Sequence, residues 1–223
     1  MADPFAEIDR GSLEWRGEPY GTSRDGVRLE VWLPADRRPS GLILAAIHGN
    51  EPETTVALSA ALRSVDPAAR RAAVVLCANP DGTLLGTRGN SLGIDLNRNF
   101  ATRNWGPPLP GELPTGSAAA SEPETRALVD LVERLSPAFV LSVHSDLACV
   151  DDPKSTPLAR WLAAKSGLPL VAGVGYATPG SLGTWCADRD LDIVTLELER
   201  MGAQDLRRRW GPILAEVIRG ACP

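Results

Sequence analysis

The chain has 223 residues, of which 43% are hydrophobic, and this is enough for one sizeable core in a single α/β domain. Its net charge of −5 argues against a nucleic-acid-binding surface, and no apolar run approaches the roughly 20 residues of a membrane span. Residues 1–7 show no basic region followed by an apolar stretch and the four cysteines form no CxxC pair, so we expect no secretory signal and reduced thiols in a cytoplasm.

We expect one domain that spans residues 1–223 and begins with an N-terminal arm over 1–25. After this arm, strand and helix patterns alternate along the chain. Apolar alternation predicts a half-buried strand near a sheet edge over 27–33. Aliphatic runs predict buried strands over 41–47, 73–78, 139–143, 170–174 and 193–198. Helical spacing predicts helices over 51–64, 121–135 (with a capping box at 121–124), 156–166 and 204–219. We therefore expect a mixed, mostly parallel twisted sheet with helices on both faces, a turn over 79–82 and long irregular connections over 83–120.

A histidine and a glutamate follow the strand predicted over 41–47. His48 and Glu51 lie three residues apart, where the strand pattern gives way to helical spacing. An imidazole nitrogen and a carboxylate oxygen in this arrangement suit zinc. The same two residues also fit a strand-terminal histidine and an acid that meets the positive end of a helix. Because the chain has only two histidines, a two-histidine metal site would consist of His48 and His144.

Two further side chains accompany apolar strands. His144 follows the strand predicted over 139–143, so both histidines are expected at the carboxyl edge of the sheet, where ligands bind in α/β folds. Glu197 lies inside the last predicted strand, and burying a carboxylate is costly unless it is paired or functional. Two alternatives stay open: an exposed strand face shared with Thr195 and Glu199, or a general base that faces the site.

The segment 88–100 contains two arginines, three asparagines and one aspartate in thirteen residues. An arginine fork beside an amide is a good clamp for a substrate carboxylate, because the fork offers two parallel donors. Any one of these residues also fits a solvated polar loop, but the whole string favours a binding segment.

Together these motifs resemble the zinc carboxypeptidases of the M14 type over roughly residues 25–200. The motifs that occur in the order of that family are His48-x-x-Glu51, Asp95-x-Asn97-Arg98-Asn99-Phe100, His144 and Thr195-x-Glu197-Leu198. Tyr176, nine residues before Trp185, is similar to the mobile tyrosine loop of the family. The compact length and the Tyr-x-Thr-Pro-Gly-Ser-x-Gly run resemble bacterial members that cut the γ-D-glutamyl–diaminopimelate bond.

The resemblance implies a role for each matched residue. One zinc ion per chain would be held by His48, Glu51 and His144. Glu197 would take a proton from water and pass it to the leaving amine. The other implied roles are Arg88 for polarising the scissile carbonyl, Tyr176 for closing over the substrate, Asn97 and Arg98 for the terminal carboxylate, Gly183 at the base of the side-chain pocket and Asp95 as the partner that fixes the tautomer of His48.

The resemblance thus predicts a zinc hydrolase that removes a C-terminal residue from a small peptide, with the murein tripeptide L-Ala-γ-D-Glu-meso-diaminopimelate as the expected substrate. A general metallocarboxypeptidase is one alternative. Another is an acylamino-acid deacylase of the aspartoacylase or succinylglutamate desuccinylase type. The resemblance to that type is weaker, because its members have a longer chain with an extra β-rich C-terminal domain. A zinc-binding ligand-recognition module is the non-enzymatic alternative, and loss of Glu197 or of a metal ligand would have favoured it.

Overall fold

The structure is a computed structural model that describes residue 13 and residues 17–222. Most of the arm predicted over 1–25 therefore lies outside the described residues, and the described part of it forms the first strand. The strands of the described residues are β1 (Glu18–Thr22), β2 (Arg28–Val31), β3 (Gly41–Ala45), β4 (Ala73–Val75), β5 (Phe139–Ser145), β6 (Cys149–Asp151), β7 (Leu170–Val171) and β8 (Asp192–Leu198).

Helices connect these strands. The α-helices are α1 (Pro52–Arg63), α2 (Pro80–Leu85), α3 (Pro123–Leu135), α4 (Pro157–Ser166), α5 (Leu182–Ala187) and α6 (Ala203–Ile218), and short 3₁₀ turns occupy Pro67–Ala69 and Leu96–Arg98. Among the helices in the described part of the chain, none has the length and apolar character that crossing a membrane requires.

The main sheet has six strands in the order β4-β3-β5-β8-β6-β7. Every neighbouring pair is parallel except β6 and β8, which run antiparallel, so the predicted mixed and mostly parallel sheet is confirmed. The strand expected over 27–33 forms as β2, but it pairs with β1 in a separate antiparallel ribbon. A single bridge between Trp32 and Val74 joins this ribbon to the edge strand β4.

Apolar side chains cover both faces of the sheet. On one face Leu58 of α1 and Trp210 of α6 pack in a fully buried cluster, and on the other Leu131 of α3 packs with Trp185 of α5. Each large apolar side chain buried in this way contributes about 1.5–3 kcal/mol. All five residues of β3 are buried, because helices lie on both of its faces, which explains its continuous aliphatic sequence.

Local side-chain bonds overrule some of the sequence-based expectations. The turn predicted over 79–82 is wrong: Asn79 caps a helix there, since its Oδ1 accepts a hydrogen bond from the Gly82 N–H at 3.0 Å. The capping box predicted at 121–124 is also wrong. The N-cap of α3 is Glu122, whose carboxylate accepts a hydrogen bond from Asn90 instead of from its own helix.

Candidate active site

The three predicted metal ligands lie together at one edge of the sheet. β3 and β5 are parallel neighbours, so the chain leaves β3 toward His48 beside the end of β5 that carries His144. Glu51 is the N-cap of α1 and turns back toward both histidines. The relative exposures of His48, Glu51 and His144 are 4%, 6% and 4%, and their donor atoms all lie within 4.8 Å of one another.

The distances between these donor atoms fit a small cation at their centre. His48 Nδ1 lies 2.7 Å from Glu51 Oε1, and His144 Nδ1 lies 3.2 Å from both His48 Nδ1 and Glu51 Oε2. Tetrahedral zinc with bonds of about 2.0–2.1 Å separates its ligands by about 3.3 Å. Two buried ring nitrogens and a carboxylate that converge in this way would crowd their lone pairs together without a positive charge between them. The residues present therefore fit zinc.

The second ring nitrogen of each histidine points away from the group and toward an outer partner. His144 Nε2 lies 3.0 Å from Ser142 Oγ, and His48 Nε2 lies 3.5 Å from Asp95 Oδ1. Metal-binding histidines commonly use their other nitrogen in this way, which fixes the tautomer and the ring orientation. Asp95 occupies the expected place. Ser142 was missed, although a polar residue two positions before His144 on the same strand face was a usable signal.

Mutual contacts keep the acids of this group ionised. Burial raises the pKa of Glu51, but hydrogen bonds with His144 and His48 outweigh it and lower the pKa to about 2. Burial likewise raises the pKa of Asp95, yet His48 and Arg88 hold that pKa well below its usual range. Burial lowers the pKa of His48, while Asp95 and Glu51 more than offset this and raise it. The carboxylates of Glu51 and Asp95 are therefore ionised.

Glu197 faces the same cavity from β8. Its register partner in β5 is His144, and its relative exposure is 6%, so the exposed-face alternative is wrong. The Leu147 N–H lies 3.5 Å from Glu197 Oε2. Burial raises the pKa of this carboxyl, with Glu51 adding to the effect and His144 opposing it. A buried carboxylate beside two histidines has the position of a general base, and that role stays a prediction.

Arg88 lies beside the metal-binding group and is held by Asp95. Its Nε donates a hydrogen bond to Asp95 Oδ2 at 2.8 Å, and its NH1 lies 3.8 Å from Glu51 Oε1. Asp95 thus orients Arg88 and His48 together. The segment between His48 and Glu51 packs directly against the backbone of α2, and this contact requires glycine at position 49. A Cβ on Gly49 would lie 2.1 Å from the Gly82 carbonyl carbon.

Asn97 and Arg98 line the cavity next to Arg88. Asn97 Oδ1 accepts a hydrogen bond from the Leu182 N–H at 2.9 Å, which leaves its NH₂ group as the donor. Arg98 is 5% exposed, and its NH1 donates to the Asn97 carbonyl at 2.8 Å. Glu112 Oε1 lies 3.8 Å from Arg98 Nε, and the sequence had not indicated this acid.

Two asparagines of the segment 88–100 build the loop instead of the site. Asn99 is fully buried, donates to the Thr115 carbonyl at 2.7 Å and accepts from the Glu122 N–H at 3.0 Å. Asn90 donates to the Glu122 carboxylate at 2.8 Å. The long connection is therefore ordered by amide side chains, so only part of the polar string faces the substrate side.

The cavity has a volume of about 320 Å³ and is lined by both histidines, Glu197 and the predicted substrate-side residues. Tyr176 stands at its mouth with 57% of its surface exposed. Gly183 also lines the cavity, and a Cβ there would meet only Ser181 Oγ, at 3.6 Å. Further lining residues include Asp151, Asp152, Lys154 and Thr195.

A family comparison decides what kind of protein carries this site. The sequence model of the zinc carboxypeptidase family matches residues 24–150, which is more than half of the chain. The chain belongs to this family. The predicted family is therefore confirmed, and membership indicates that the protein is a peptide-bond hydrolase.

Individual relatives are also similar to this chain. Murein peptide amidase A of Escherichia coli K12 is 44% identical to it, over 95% of this chain and 93% of the relative. The crystal structure of murein-tripeptide amidase from Escherichia coli O157 matches with a TM-score of 0.89 at 43% identity, over 94% of each chain. Carboxypeptidase A of Helicoverpa armigera matches with a TM-score of 0.73 at 18% identity, over 92% of this chain and 68% of that one, and shares the fold alone.

Proposed function

We propose that this protein is a zinc-dependent murein peptide amidase that hydrolyses the γ-D-glutamyl–meso-diaminopimelate bond of the murein tripeptide. The observation that carries the proposal is one cavity at which a buried His–Glu–His group, the buried carboxylate of Glu197 and the side chains of Asn97 and Arg98 meet, in a chain 44% identical to murein peptide amidase A. His48, Glu51 and His144 would hold the zinc. When bound, zinc polarises the scissile carbonyl and lowers the pKa of bound water to about 7.

Glu197 is the proposed general base. Its carboxylate accepts a proton as water attacks the carbonyl carbon, and it returns that proton to the leaving amine nitrogen as the amide bond breaks. Arg88 donates hydrogen bonds to the carbonyl oxygen, where negative charge develops. A preorganised donor of this kind typically contributes about 3–4 kcal/mol to the transition state. The 2.8 Å bond from Arg88 to Asp95 supports this role, because it fixes the arginine before the substrate arrives.

Asn97 and Arg98 are proposed to bind the free carboxylate next to the scissile amide. The buried Nε of Arg98 supports this role, since it has no hydrogen-bond partner among the described residues and Glu112 is 3.8 Å away from it. Tyr176, at the mouth, would close over the bound peptide. A clamp at this position accepts only one residue after the scissile bond, so a tripeptide fits and a peptide with a further D-Ala does not.

The alternatives have less support. The deacylase alternative would not explain a relative named for murein peptide cleavage that matches over 93% of its own length. The ligand-recognition alternative would not explain why the three ligand residues and Glu197 are all present around one cavity.

The test compares the murein tripeptide with the tetrapeptide that ends in D-Ala, using the purified zinc-loaded protein. We expect rapid release of diaminopimelate from the tripeptide and little or none from the tetrapeptide. Comparable rates on both peptides, or preferential cleavage of benzoyl-Gly-Phe, would identify a general metallocarboxypeptidase instead.

We also propose that the enzyme works in the cytoplasm on released wall peptides. The four cysteines, which are free thiols without a CxxC pair, support a reducing compartment. Cell fractionation followed by immunodetection checks this localisation.

A further inference from the structure

The far end of the cavity contains an acid for which the reaction described above has no use. Asp151 ends β6, and its register partner in the antiparallel neighbour β8 is Thr195. Cys149, two residues before it, is the register partner of Glu197. Because residues two apart along a strand share a face, Asp151 lies on the cavity side of the sheet, one step of about 7 Å beyond the proposed general base. This is the region that the side chain of the departing residue would enter.

The carboxylate of Asp151 is only partly satisfied. Its Oδ1 is buried and has no hydrogen-bond partner among the described residues, while the Gly173 N–H interacts with the same carboxylate. Burial, with the neighbouring Asp152 adding to it, raises the pKa of Asp151. A buried acceptor without a partner is costly to the fold, so it calls for a ligand group that is present only in the complex.

The neighbouring acid is fully engaged and has a different role. Asp152 Oδ1 accepts from the Lys154 N–H at 2.9 Å, and its Oδ2 accepts from both the N–H and the hydroxyl of Thr156 at 2.7 Å. Asp152 therefore fastens the turn into α4. Asp152 thus has both carboxylate oxygens engaged, unlike Asp151.

Lys154, a lysine of the cavity lining, forms its ion pairs with acids other than Asp151. Lys154 Nζ donates to Asp190 and Asp192, each at 2.9 Å, so its charge is balanced outside the cavity. The charge left over at this end of the cavity is therefore the negative charge of Asp151. A cationic group on the substrate would restore the balance.

We propose that Asp151 selects the departing residue by binding an ammonium group on its side chain. The proposal rests on the proposed function and deepens it, because meso-diaminopimelate carries such an ammonium group at the far end of its side chain. The contact is a charge-assisted hydrogen bond from this ammonium group to the Asp151 carboxylate. Open space at Gly183, where a Cβ would meet only Ser181 Oγ, lets a long side chain reach this depth.

The experiment uses two pairs of γ-D-glutamyl tripeptides that differ only by the ammonium group. One pair ends in meso-diaminopimelate or 2-aminopimelate, and the other ends in L-lysine or L-norleucine. In the wild type, kcat/KM should be higher for the ammonium-bearing member of each pair. Asp151→Asn should lower kcat/KM for that member by about 30-fold or more and leave the other member within about 3-fold of wild type.

Asp130→Asn is the matched control. It makes the same charge change at an exposed position of α3, away from the cavity lining. The preference for the ammonium group should stay within about 2-fold of the wild-type value. Thermal unfolding of both variants verifies that they are folded.

The proposal is overturned if Asp151→Asn slows both members of a pair equally, because that result indicates a structural role, or if it slows neither. A third pair, benzoyl-Gly-L-lysine and benzoyl-Gly-L-norleucine, separates this outcome from a failure of the murein assignment. Should the wild type cleave only these α-linked peptides, the murein substrate is wrong, and the same ratio in Asp151→Asn still decides the role of Asp151.

Discussion

The two ends of the cavity differ in how their charged side chains are paired. At the reacting end His48, Glu51, Asp95 and Arg88 form a closed set of contacts with one another. At the far end Asp151 keeps a buried oxygen without a partner among the described residues. The first end is organised before any substrate arrives, whereas the second is completed by the substrate.

The two ends also differ in their support from the fold. The reacting end is attached to β3, β5 and β8, three adjacent strands of the sheet whose apolar side chains are almost all buried. The far end is attached to β6 and β7, strands of three and two residues at the sheet margin. Changes at the reacting end should therefore abolish activity on every peptide, and changes at the far end should alter the choice among peptides.

The largest effect is expected from His144→Ala. Removing one of three proposed zinc ligands should abolish tight zinc binding and all measurable hydrolysis, because the remaining two donors do not close a tetrahedral site. Zinc content and the rates on several peptides provide the measurement. Ser142→Ala is the control: it removes only the 3.0 Å contact to His144 Nε2 and should weaken zinc binding by about 10–100-fold. Stoichiometric zinc in the His48→Ala, His144→Ala double variant would contradict the ligand assignment.

A smaller but still general effect is expected from Glu197→Gln. The amide keeps the size and polarity of the side chain but accepts no proton, so kcat should fall by about 10²–10⁴-fold on every peptide. Zinc content should stay at the wild-type level, which distinguishes loss of the base from loss of the metal. A rate within a few-fold of wild type would mean that Glu197 has no part in proton transfer.

The smallest effect, and the most selective, is expected at Gly183. Gly183→Ala adds a methyl group that meets only Ser181 Oγ, so activity should stay within a few-fold, with a gain of about 0.4–1 kcal/mol in the free energy of unfolding. Gly183→Leu fills the open space and should raise KM for the diaminopimelate peptide by about 10-fold or more, while peptides that end in alanine are little affected. If leucine slowed all peptides equally, the far end would not be a side-chain pocket.

Elements with long, regular patterns could be predicted from the sequence. Helices α1 and α6 and strands β3 and β8 lie within two residues of their expected bounds, because their apolar spacing is dictated by burial on one face or on two. Strand β6 has three residues and helix α5 has six, so neither is long enough for its apolar period to repeat twice, and both were missed. The helix cap at Glu122 was misjudged because Asn90, 32 residues earlier, binds its carboxylate.

The sequence by itself determined which groups could bind a metal, since it contains only two histidines and the His48-x-x-Glu51 spacing is local. Only the tertiary structure decided that Glu197 is buried and that Asp151 lies beside Thr195. The spacing of residues along a strand or into a helix follows from backbone geometry over a few residues. Which face of a strand meets a cavity depends instead on pairing with strands far away in the chain, and no local pattern contains that information.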